Sequence, residues 1–237
     1  MIFAAILGHY ADPATNSVAP NSLAELDNKP IIVYSAEKLL ASPRIDAVFI
    51  SINSDWLCPI QQIIDSFLPN YAHRIHLIPW EGSHNNTLQN ILYTITQMSN
   101  GNEEDIIIVH DANRPFITSR IIEENIDAAI NFGAANTVCP AIDTIVISHD
   151  GSSISDIPNK AFMYCSHSPQ SFQVNVLKNL YSSLSVAELA SQYDPCKLCS
   201  IHDLPVALVR SEYTNIKVSA PSDYPIAEAY VARGIHL

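Results

Sequence analysis

An aspartate and an arginine spaced three residues apart, Asp111 and Arg114, are the side chains best placed in this sequence to do chemistry. They follow Ile106–Val109, a run of four β-branched apolar residues that predicts a strand buried on both faces of a sheet. The ligand crevice of an open α/β sheet lies outside the carboxyl ends of its strands, where this pair would lie. An aspartate there can bind Mg²⁺, and an arginine can bind a phosphate through two parallel hydrogen bonds. The spacing alone leaves open an alternative, in which Asp111 caps the next turn and Arg114 forms a surface ion pair.

The framework that would position this pair is an alternation of apolar strands and amphipathic helices. The hydrophobic pattern predicts strands at Ile2–Leu7, Ala47–Ile52, Ile75–Pro79, Ile106–Val109 and Asn136–Pro140. It predicts helices between them, at about Pro30–Leu40, Cys58–Phe67, Asn86–Met98 and Ser119–Phe132. Strands and helices that alternate at this pitch form βαβ units. We therefore expect an α/β fold with a Rossmann-like, mostly parallel sheet and helices on both faces.

The alternation ends after Ala141. Asp143–Ser148 alternates like an exposed antiparallel strand, and the Asp-Gly pair at 150–151 is a strong hairpin-turn signal. We predict a projecting β-hairpin arm over residues 141–168, a common dimerisation device. Beyond the arm, the pattern predicts helices at about Val174–Ser183 and Val186–Tyr193, a strand at Val206–Val209 and a last helix from near Pro221. The whole chain, residues 1–237, is expected to form one domain.

Composition narrows the classes of partner. The net charge is -12, which argues against a nucleic-acid or anionic-membrane surface, although a few basic groups in a cleft can still bind a small anion. The five cysteines are an odd number and show no disulfide framework. The apolar start Met1–Leu7 lacks the basic residues and the length of a signal peptide, and no run reaches the roughly 20 apolar residues that span a bilayer. We expect a cytoplasmic protein with reduced thiols.

The motif around the Asp–Arg pair resembles one found in a known enzyme family. His110–Phe116 reads HDANRPF and is similar to the HDAARPF motif of the cytidylyltransferases that make CDP-polyols from methylerythritol phosphate or ribitol phosphate. Further similar segments are Asn28–Ile31 (GKPI), Asp143–Ile145 (DTI), Ser168–Phe172 (TPQ-x-F), Asn215–Val218 (NIK) and Ala220–Asp223 (T-x-P-x-D). Asp194–Lys197 (DACK) and Asn86-Thr87 (RNTS) resemble the ribitol-phosphate branch. Because their order and spacing hold over nearly the whole chain, the resemblance implies the family's GT-A-like nucleotidyltransferase fold.

The resemblance also implies a reaction. The phosphate of a polyol phosphate attacks the α-phosphorus of CTP, and Mg²⁺ helps pyrophosphate to leave. This chemistry needs positioning and charge neutralisation more than a nucleophile on the protein. By resemblance, Asp111 would hold Mg²⁺ and the substrate, and Lys217 would contact the phosphates undergoing transfer. The implied substrates are therefore CTP and a polyol phosphate, such as ribitol 5-phosphate or methylerythritol 4-phosphate.

Other site residues follow from the same resemblance. Arg114, Thr144 and Ser168 would line the polyol-phosphate pocket. Lys160 stands where the family has an arm arginine that reaches the neighbouring subunit's site, which implies a homodimer formed through the arm. A lysine keeps that charge and loses the bidentate fork. The residues at family nucleotide-binding positions are Gly8, Gly82, Asn86 and Thr87.

The segment after the first strand departs from the family pattern. The family loop, LAGGKGTRMG…PKQ, wraps the triphosphate with backbone N–H groups and neutralises it with Arg and Lys. Here Gly8 is the retained glycine, Asp12 adds a negative charge, and Asn21 stands at the PKQ lysine. Asn85 likewise replaces a family arginine. His9 and His84 could substitute weakly for the missing cations, but the sequence favours the alternative that they are solvated loop histidines. An alternative hypothesis is therefore a non-catalytic homologue that binds a sugar or polyol phosphate, or an active partner subunit.

Cys196, Cys199 and His202 have a spacing that could bind a metal. A closed zinc site needs four ligands, and no fourth is apparent in the sequence. The resemblance accounts for this stretch as ordinary structure, so we do not expect zinc.

Overall fold

A seven-stranded sheet organises the computed structural model, which describes residues 1–8, 21–185, 187–188 and 194–235. The strands are β1 Ile2–Leu7, β2 Glu25–Leu26, β3 Lys29–Pro30, β4 Ala47–Ile52, β5 Ile75–Pro79, β6 Ile106–Asp111, β7 Ala134–Pro140, β8 Tyr164–Gln173 and β9 Ala207–Arg210. The sheet order is β5-β4-β1-β6-β8-β7-β9, and β2 pairs with β3 in a separate ribbon. Only β8 runs antiparallel to its neighbours in the large sheet, so the expected mostly parallel α/β sheet is confirmed.

Helices cover both faces of the sheet. They are α1 Ile31–Ala41, α2 Leu57–Phe67, α3 His84–Met98, α4 Ser119–Phe132, α5 Val174–Ser183, α6 Pro195–Ile201 and α7 Asp223–Ala232. Helices α1, α2 and α4 pack in one apolar cluster, and α3, α5 and α6 pack in the other. Strand β6 contributes Ile108 to the first cluster and Ile107 and Val109 to the second, so it is buried on both faces as predicted. In the described part of the chain, no helix has the length and apolar character needed to cross a membrane.

The segment predicted as a β-arm is less regular than expected. The prediction of a strand at Asp143–Ser148 is wrong: an isolated antiparallel bridge between Ile147 and Asp156 is the only pairing recorded there, and the sheet begins again at β8. The predicted turn forms, since Asp150 accepts hydrogen bonds from the backbone of Ser152 and Ser153. Alternating residues make a ladder only beside a partner strand, and this segment leaves the sheet after β7.

Strand β8 is the central strand that the sequence pattern did not predict. It lies between β6 and β7, yet its middle carries Ser168, Gln170 and Ser171, all buried polar residues. Hydrogen bonds compensate their burial, as when the Ser171 hydroxyl donates to Asn125 Oδ1 over 3.3 Å. An apolar pattern cannot reveal a strand that satisfies buried polar groups in this way. Helix α6 was also not predicted, and the predicted helix Val186–Tyr193 lies mostly outside the described residues.

Candidate active site

Asp111 ends strand β6 and is the centre of a charged cluster. Arg114 Nε donates to Asp111 Oδ2 over 2.9 Å, and Lys217 Nζ lies 3.3 Å from the same oxygen. The cluster thus places one carboxylate between two cations at the carboxyl edge of the sheet, as the spacing of Asp111 and Arg114 predicted. Arg114 is 8% exposed, which excludes the alternative of a surface ion pair.

Electrostatics keep Asp111 ionised. Its partial burial alone would raise the pKa of the carboxyl, but the charges of Lys217 and Arg114 outweigh that effect and lower the pKa to about 2. With Asp111 ionised, the cluster holds one carboxylate beside one guanidinium and one ammonium group. Its net positive charge suits a phosphate ligand.

Lys217 is positioned by the backbone on both sides of it. Arg114 Nη1 donates to the Asn215 carbonyl over 2.9 Å, and Asn215 Nδ2 donates to the Ser168 carbonyl over 2.9 Å. Beyond Lys217, Val218 exchanges two hydrogen bonds with Asn113, one to its backbone (2.9 Å) and one from its Nδ2 (3.0 Å). The loop of residues 215–218 therefore cannot shift without breaking buried hydrogen bonds, which fixes the lysine beside Asp111.

A buried histidine connects the cluster to strand β8. His110 Nδ1 lies 3.0 Å from Ser168 Oγ, and His110 Nε2 lies 3.2 Å from the Arg114 carbonyl oxygen. Ser168 Oγ in turn accepts the backbone N–H of Asp111 over 3.0 Å. Burial lowers the pKa of His110 to about 4, so the ring is neutral at pH 7.

A cavity of about 320 Å³ opens beside the cluster. Four of the predicted site residues line it, namely Asp111, Arg114, Ser168 and Lys217. The residues that were not predicted as site residues are more numerous: Leu7, His84, Leu88, Val109, His110, Ser166, His167, Gln170, Asp194 and Pro195. Several of them come from β8, so recognising that strand would have found them. The cavity is larger than the space needed for a phosphate group alone and is suited to a small polar ligand.

The wall of the cavity away from Asp111 is also polar. Gln170 Nε2 donates to Asp194 Oδ2 over 2.6 Å, while Asp194 Oδ1 caps helix α6 by accepting the N–H of Cys196. Burial, with a further contribution from the charge of Arg114, lowers the pKa of His167 to about 4. Hydroxyl groups of a ligand would therefore meet both donors and acceptors here.

The two predicted arm residues lie elsewhere on the chain. Thr144 and Lys160 are exposed, and neither lines the cavity. The Lys160 ammonium donates to the carbonyl oxygen of Ile142 within the arm. Their predicted role in a neighbouring subunit's site stays a prediction.

The four predicted nucleotide-binding residues follow two strands at the same edge of the sheet: Gly8 after β1, Gly82 in the loop after β5, and Asn86 and Thr87 in the first turn of α3. Gly8 follows β1, and a Cβ atom there would come within 3.0 Å of the Ser51 carbonyl oxygen, so glycine is required for close packing. Gly82 precedes α3 and has a φ of +80°. The side chains of Asn86 and Thr87 bond to the backbone of Glu81, which leaves His84 and Leu88 as the α3 residues on the cavity. Asn21 stands where the family has the lysine of its PKQ motif, and its Nδ2 donates to the Ser219 carbonyl over 2.9 Å.

The cysteines of the candidate metal motif are part of the core. Cys196 and Cys199 pack in the apolar cluster beneath α6, and burial raises the pKa of both thiols, that of Cys199 to about 11. Neutral thiols in an apolar core are poor metal ligands. Among the described residues, no group of three metal-ligating side chains comes together.

Comparison with known proteins agrees with the motifs. The family of 2-C-methyl-D-erythritol 4-phosphate cytidylyltransferases, IspD, matches residues 7–233. The chain belongs to this family. A ribitol-5-phosphate cytidylyltransferase of Streptococcus pneumoniae is 36% identical over 234 residues, which are 98% of this chain and 100% of that protein.

Solved structures of the IspD family share the fold. A 4-diphosphocytidyl-2C-methyl-D-erythritol synthase of Anaerococcus prevotii aligns with a TM-score of 0.79 at 21% identity, over 98% of this chain and 96% of that one. The Francisella tularensis IspD aligns with a TM-score of 0.78 at 17% identity, over 96% of this chain and 98% of that one. At such identities the alignments support the nucleotidyltransferase fold, which the sequence motifs implied.

Proposed function

We propose that this protein transfers CMP from CTP to a polyol phosphate and releases pyrophosphate, and that ribitol 5-phosphate is the acceptor. The main support is the cluster of Asp111, Arg114 and Lys217 on the wall of a polar cavity, in a chain of the IspD family. Choice of the acceptor follows from the Streptococcus pneumoniae relative and from the DACK-like segment, whose Asp194 lines the cavity.

In the proposed reaction, a phosphate oxygen of the polyol phosphate forms a bond to the α-phosphorus of CTP. The bond between the α-phosphorus and its bridging oxygen breaks, and pyrophosphate leaves with that electron pair. Both reactants are anions that must approach one another, so the protein has to neutralise charge and fix geometry. Arg114 is buried and held at two of its donors, which suits it to bind the acceptor phosphate. Lys217 can stabilise the negative charge that develops on the oxygens of the transferred phosphoryl group.

Mg²⁺ is proposed as the cofactor, held by Asp111 and the phosphates of CTP. The residues fit this ion, because Mg²⁺ commonly binds through one or two carboxylates together with substrate phosphates and water. The Asp111 carboxylate lies at the carboxyl end of β6 and lines the cavity, where it can reach a bound ion. When bound, the ion would neutralise phosphate charge and help pyrophosphate to leave.

A homodimer in the cytoplasm is proposed as the working form. The arm exposes a set of apolar side chains that water solvates poorly: Ile142, Val146, Ile154, Ile157, Phe162 and Tyr164. A second copy that covered them would also bring Lys160 close to a neighbouring cavity, as the resemblance implies. Sedimentation velocity of the wild type and of Phe162→Asp tests this, with a dimer expected for the first and a monomer for the second. A monomeric wild type would contradict it.

The decisive experiment measures product formation directly. Purified protein is incubated with CTP, MgCl₂ and ribitol 5-phosphate, and pyrophosphate release is followed together with CDP-ribitol by mass spectrometry. Parallel reactions replace the acceptor with methylerythritol 4-phosphate, or omit the acceptor. We expect CDP-ribitol to form faster than the methylerythritol product, and no pyrophosphate without an acceptor. A preference for methylerythritol 4-phosphate would contradict the acceptor assignment but leave cytidylyl transfer intact.

One sequence observation favours a second candidate. Residues 8–28 and 80–88 contain no lysine or arginine, although they correspond to the family's triphosphate-binding segments. The alternative is a homologue that binds a polyol phosphate through Arg114 and Lys217 and does not turn over CTP. Calorimetry separates the candidates: binding of ribitol 5-phosphate with no CTP binding at millimolar concentration would support the alternative and contradict the enzyme proposal.

A further inference from the structure

The proton positions around His110 follow from the chemistry of its neighbours. The Arg114 carbonyl oxygen can only accept, so His110 Nε2 must carry the hydrogen of the neutral ring. His110 Nδ1 is then an acceptor, and the Ser168 hydroxyl must donate to it. Ser168 Oγ also accepts the N–H of Asp111. The hydrogen bonds therefore run in one direction, from the Asp111 backbone through Ser168 and His110 to the Arg114 backbone.

This chain of hydrogen bonds closes the turn that carries the charged cluster. Asp111 and Arg114 are at its two ends, and the Arg114 N–H also donates to the Asp111 carbonyl over 3.2 Å. His110 and Ser168 are 1% and 7% exposed, so water competes little for these hydrogen bonds. The turn is thereby tied to β8, the strand that forms one wall of the cavity.

We infer that His110 is a positioning residue, which acts through the Ser168 hydroxyl and the Arg114 carbonyl to fix Asp111 and Arg114 for phosphate transfer. The Ser168 hydroxyl is a link in this chain and gives its proton to His110, so it does not donate to the polyol phosphate. This inference rests on the proposed cytidylyl transfer, and it gives Ser168, which the resemblance implies as a pocket-lining residue, a supporting role.

Ser168 variants distinguish the two roles. Ser168→Ala breaks the link, and we expect kcat to fall about 10–100-fold while the KM for ribitol 5-phosphate changes less than about threefold. Ser168→Thr keeps the hydroxyl and is expected to stay within about threefold of the wild-type kcat. Ser171→Ala is the matched control on the same strand, because it loses a buried hydrogen bond to Asn125 and leaves the chain intact. A tenfold rise in KM for ribitol 5-phosphate with unchanged kcat in Ser168→Ala would overturn the inference.

His110 variants test separately the two hydrogen bonds of His110, one with the Ser168 hydroxyl and one with the Arg114 carbonyl. Gln at position 110 can place a donor near the Nε2 position and loses the acceptor for Ser168, whereas Asn keeps that acceptor and loses the donor to Arg114. We therefore expect His110→Gln to lower kcat in the wild-type background. In the Ser168→Ala background the hydroxyl that needs this acceptor is already gone, so His110→Gln should lower kcat by less than about threefold. His110→Asn should cost a similar factor in both backgrounds. Additive effects of His110→Gln and Ser168→Ala would overturn the inference.

The control for a histidine substitution is His76→Asn, since His76 stacks on Phe49 at the edge strand β5, away from the cavity. A readout that needs no variant covers the case in which His110 variants do not fold. Nitrogen-15 NMR of the wild-type protein at pH 7 is expected to show His110 protonated at Nε2 and not at Nδ1. A proton on Nδ1 would overturn the inference. A wild type that forms no CDP-ribitol would contradict the proposed function, but the NMR result could still be interpreted because it does not depend on activity.

Discussion

Two sides of the same sheet edge differ sharply in charge. On the acceptor side, beside β6 and β8, Arg114 and Lys217 flank Asp111, and buried hydrogen bonds from Asn215 and Asn113 hold their loops. The two sequence segments that correspond to the family's nucleotide-binding regions, residues 8–28 and 80–88, contain no lysine or arginine. Under the proposed function, the site therefore has groups that would bind the acceptor phosphate and Mg²⁺, whereas the segments expected to bind the triphosphate lack lysine and arginine.

The first cation after β1 does not compensate for the loss. The Lys29 ammonium pairs with Glu37 and lies 4.4 Å from the centre of the Tyr34 ring, and all three residues lie together around another pocket. Because the Lys29 ammonium is already paired with Glu37, it is not available to a triphosphate. The difference teaches that the two halves of a transferase site can change separately, because each half binds a different anion.

The largest effect is expected on the acceptor side, from Asp111→Asn. The substitution removes the proposed Mg²⁺ ligand and the charge that holds Arg114 and Lys217, so kcat should fall by about 10²–10³. Asp127→Asn is the matched control, since Asp127 pairs with Arg44 on an exposed surface. Initial rates of pyrophosphate release measure both. Unchanged kcat in Asp111→Asn would remove the distinction between the two sides, because the cluster of Asp111, Arg114 and Lys217 would then not serve catalysis.

Arg114→Lys is expected to affect only one substrate. Lysine keeps the charge but cannot bond Asp111 and the Asn215 carbonyl while presenting a planar fork to phosphate. The KM for ribitol 5-phosphate should rise about tenfold, while the KM for CTP stays within about twofold. Steady-state kinetics with each substrate varied in turn test this. Equal changes in both KM values would mean that Arg114 is shared by the two anions.

The strands and helices that have an apolar pattern were predictable. Strands β1, β4 and β5 and helices α4 and α5 occupy the predicted residues. Strands β1 and β4 are continuous apolar runs buried at nearly every position, and α4 and α5 each bury one apolar face. Strand β8 was missed because its buried serines and glutamine are satisfied by hydrogen bonds to residues on other elements, namely His110, Asp194 and Asn125. No one-dimensional pattern carries that information, since the partners are far apart in the sequence.

The charged residues of the site were also predictable, but the residues that hold them in place by hydrogen bonds were not. Asp111, Arg114 and Lys217 were named from motifs, and the structure brings them together. The roles of Asn113 and Asn215 depend on contacts across about one hundred residues of sequence, which only the fold reveals. His110 was read as part of a motif, but its tautomer is fixed by a carbonyl and a hydroxyl that the chain places around it.

A smaller effect is expected in the pH dependence of stability. The pKa of Asp111 is lowered from its ordinary value of 3.8 to about 2, so its ion pairs stabilise the fold fully above pH 3.8 and lose this contribution as the pH falls through 2. The difference in free energy of unfolding between wild type and Asp111→Asn should shrink by about 1 kcal/mol from pH 6 to pH 3. Urea titrations at both pH values measure it. A difference that is independent of pH would mean that the cluster does not stabilise the carboxylate.

The smallest effect is expected where the nucleotide side is partly restored, in Asn21→Lys. Asn21 stands at the position of the family's PKQ lysine, and its amide donates to the Ser219 carbonyl over 2.9 Å. One added cation near a partly solvated triphosphate contributes about 0.5–1 kcal/mol, so the KM for CTP should fall roughly two- to fivefold, and less at high salt. Gln62→Lys on the exposed face of α2 adds the same charge away from the site as a control. If both variants lower the KM for CTP equally, the deficit lies in the overall charge of -12; if Asn21→Lys alone does so, the deficit is local, and the two sides of the edge are independently adjustable.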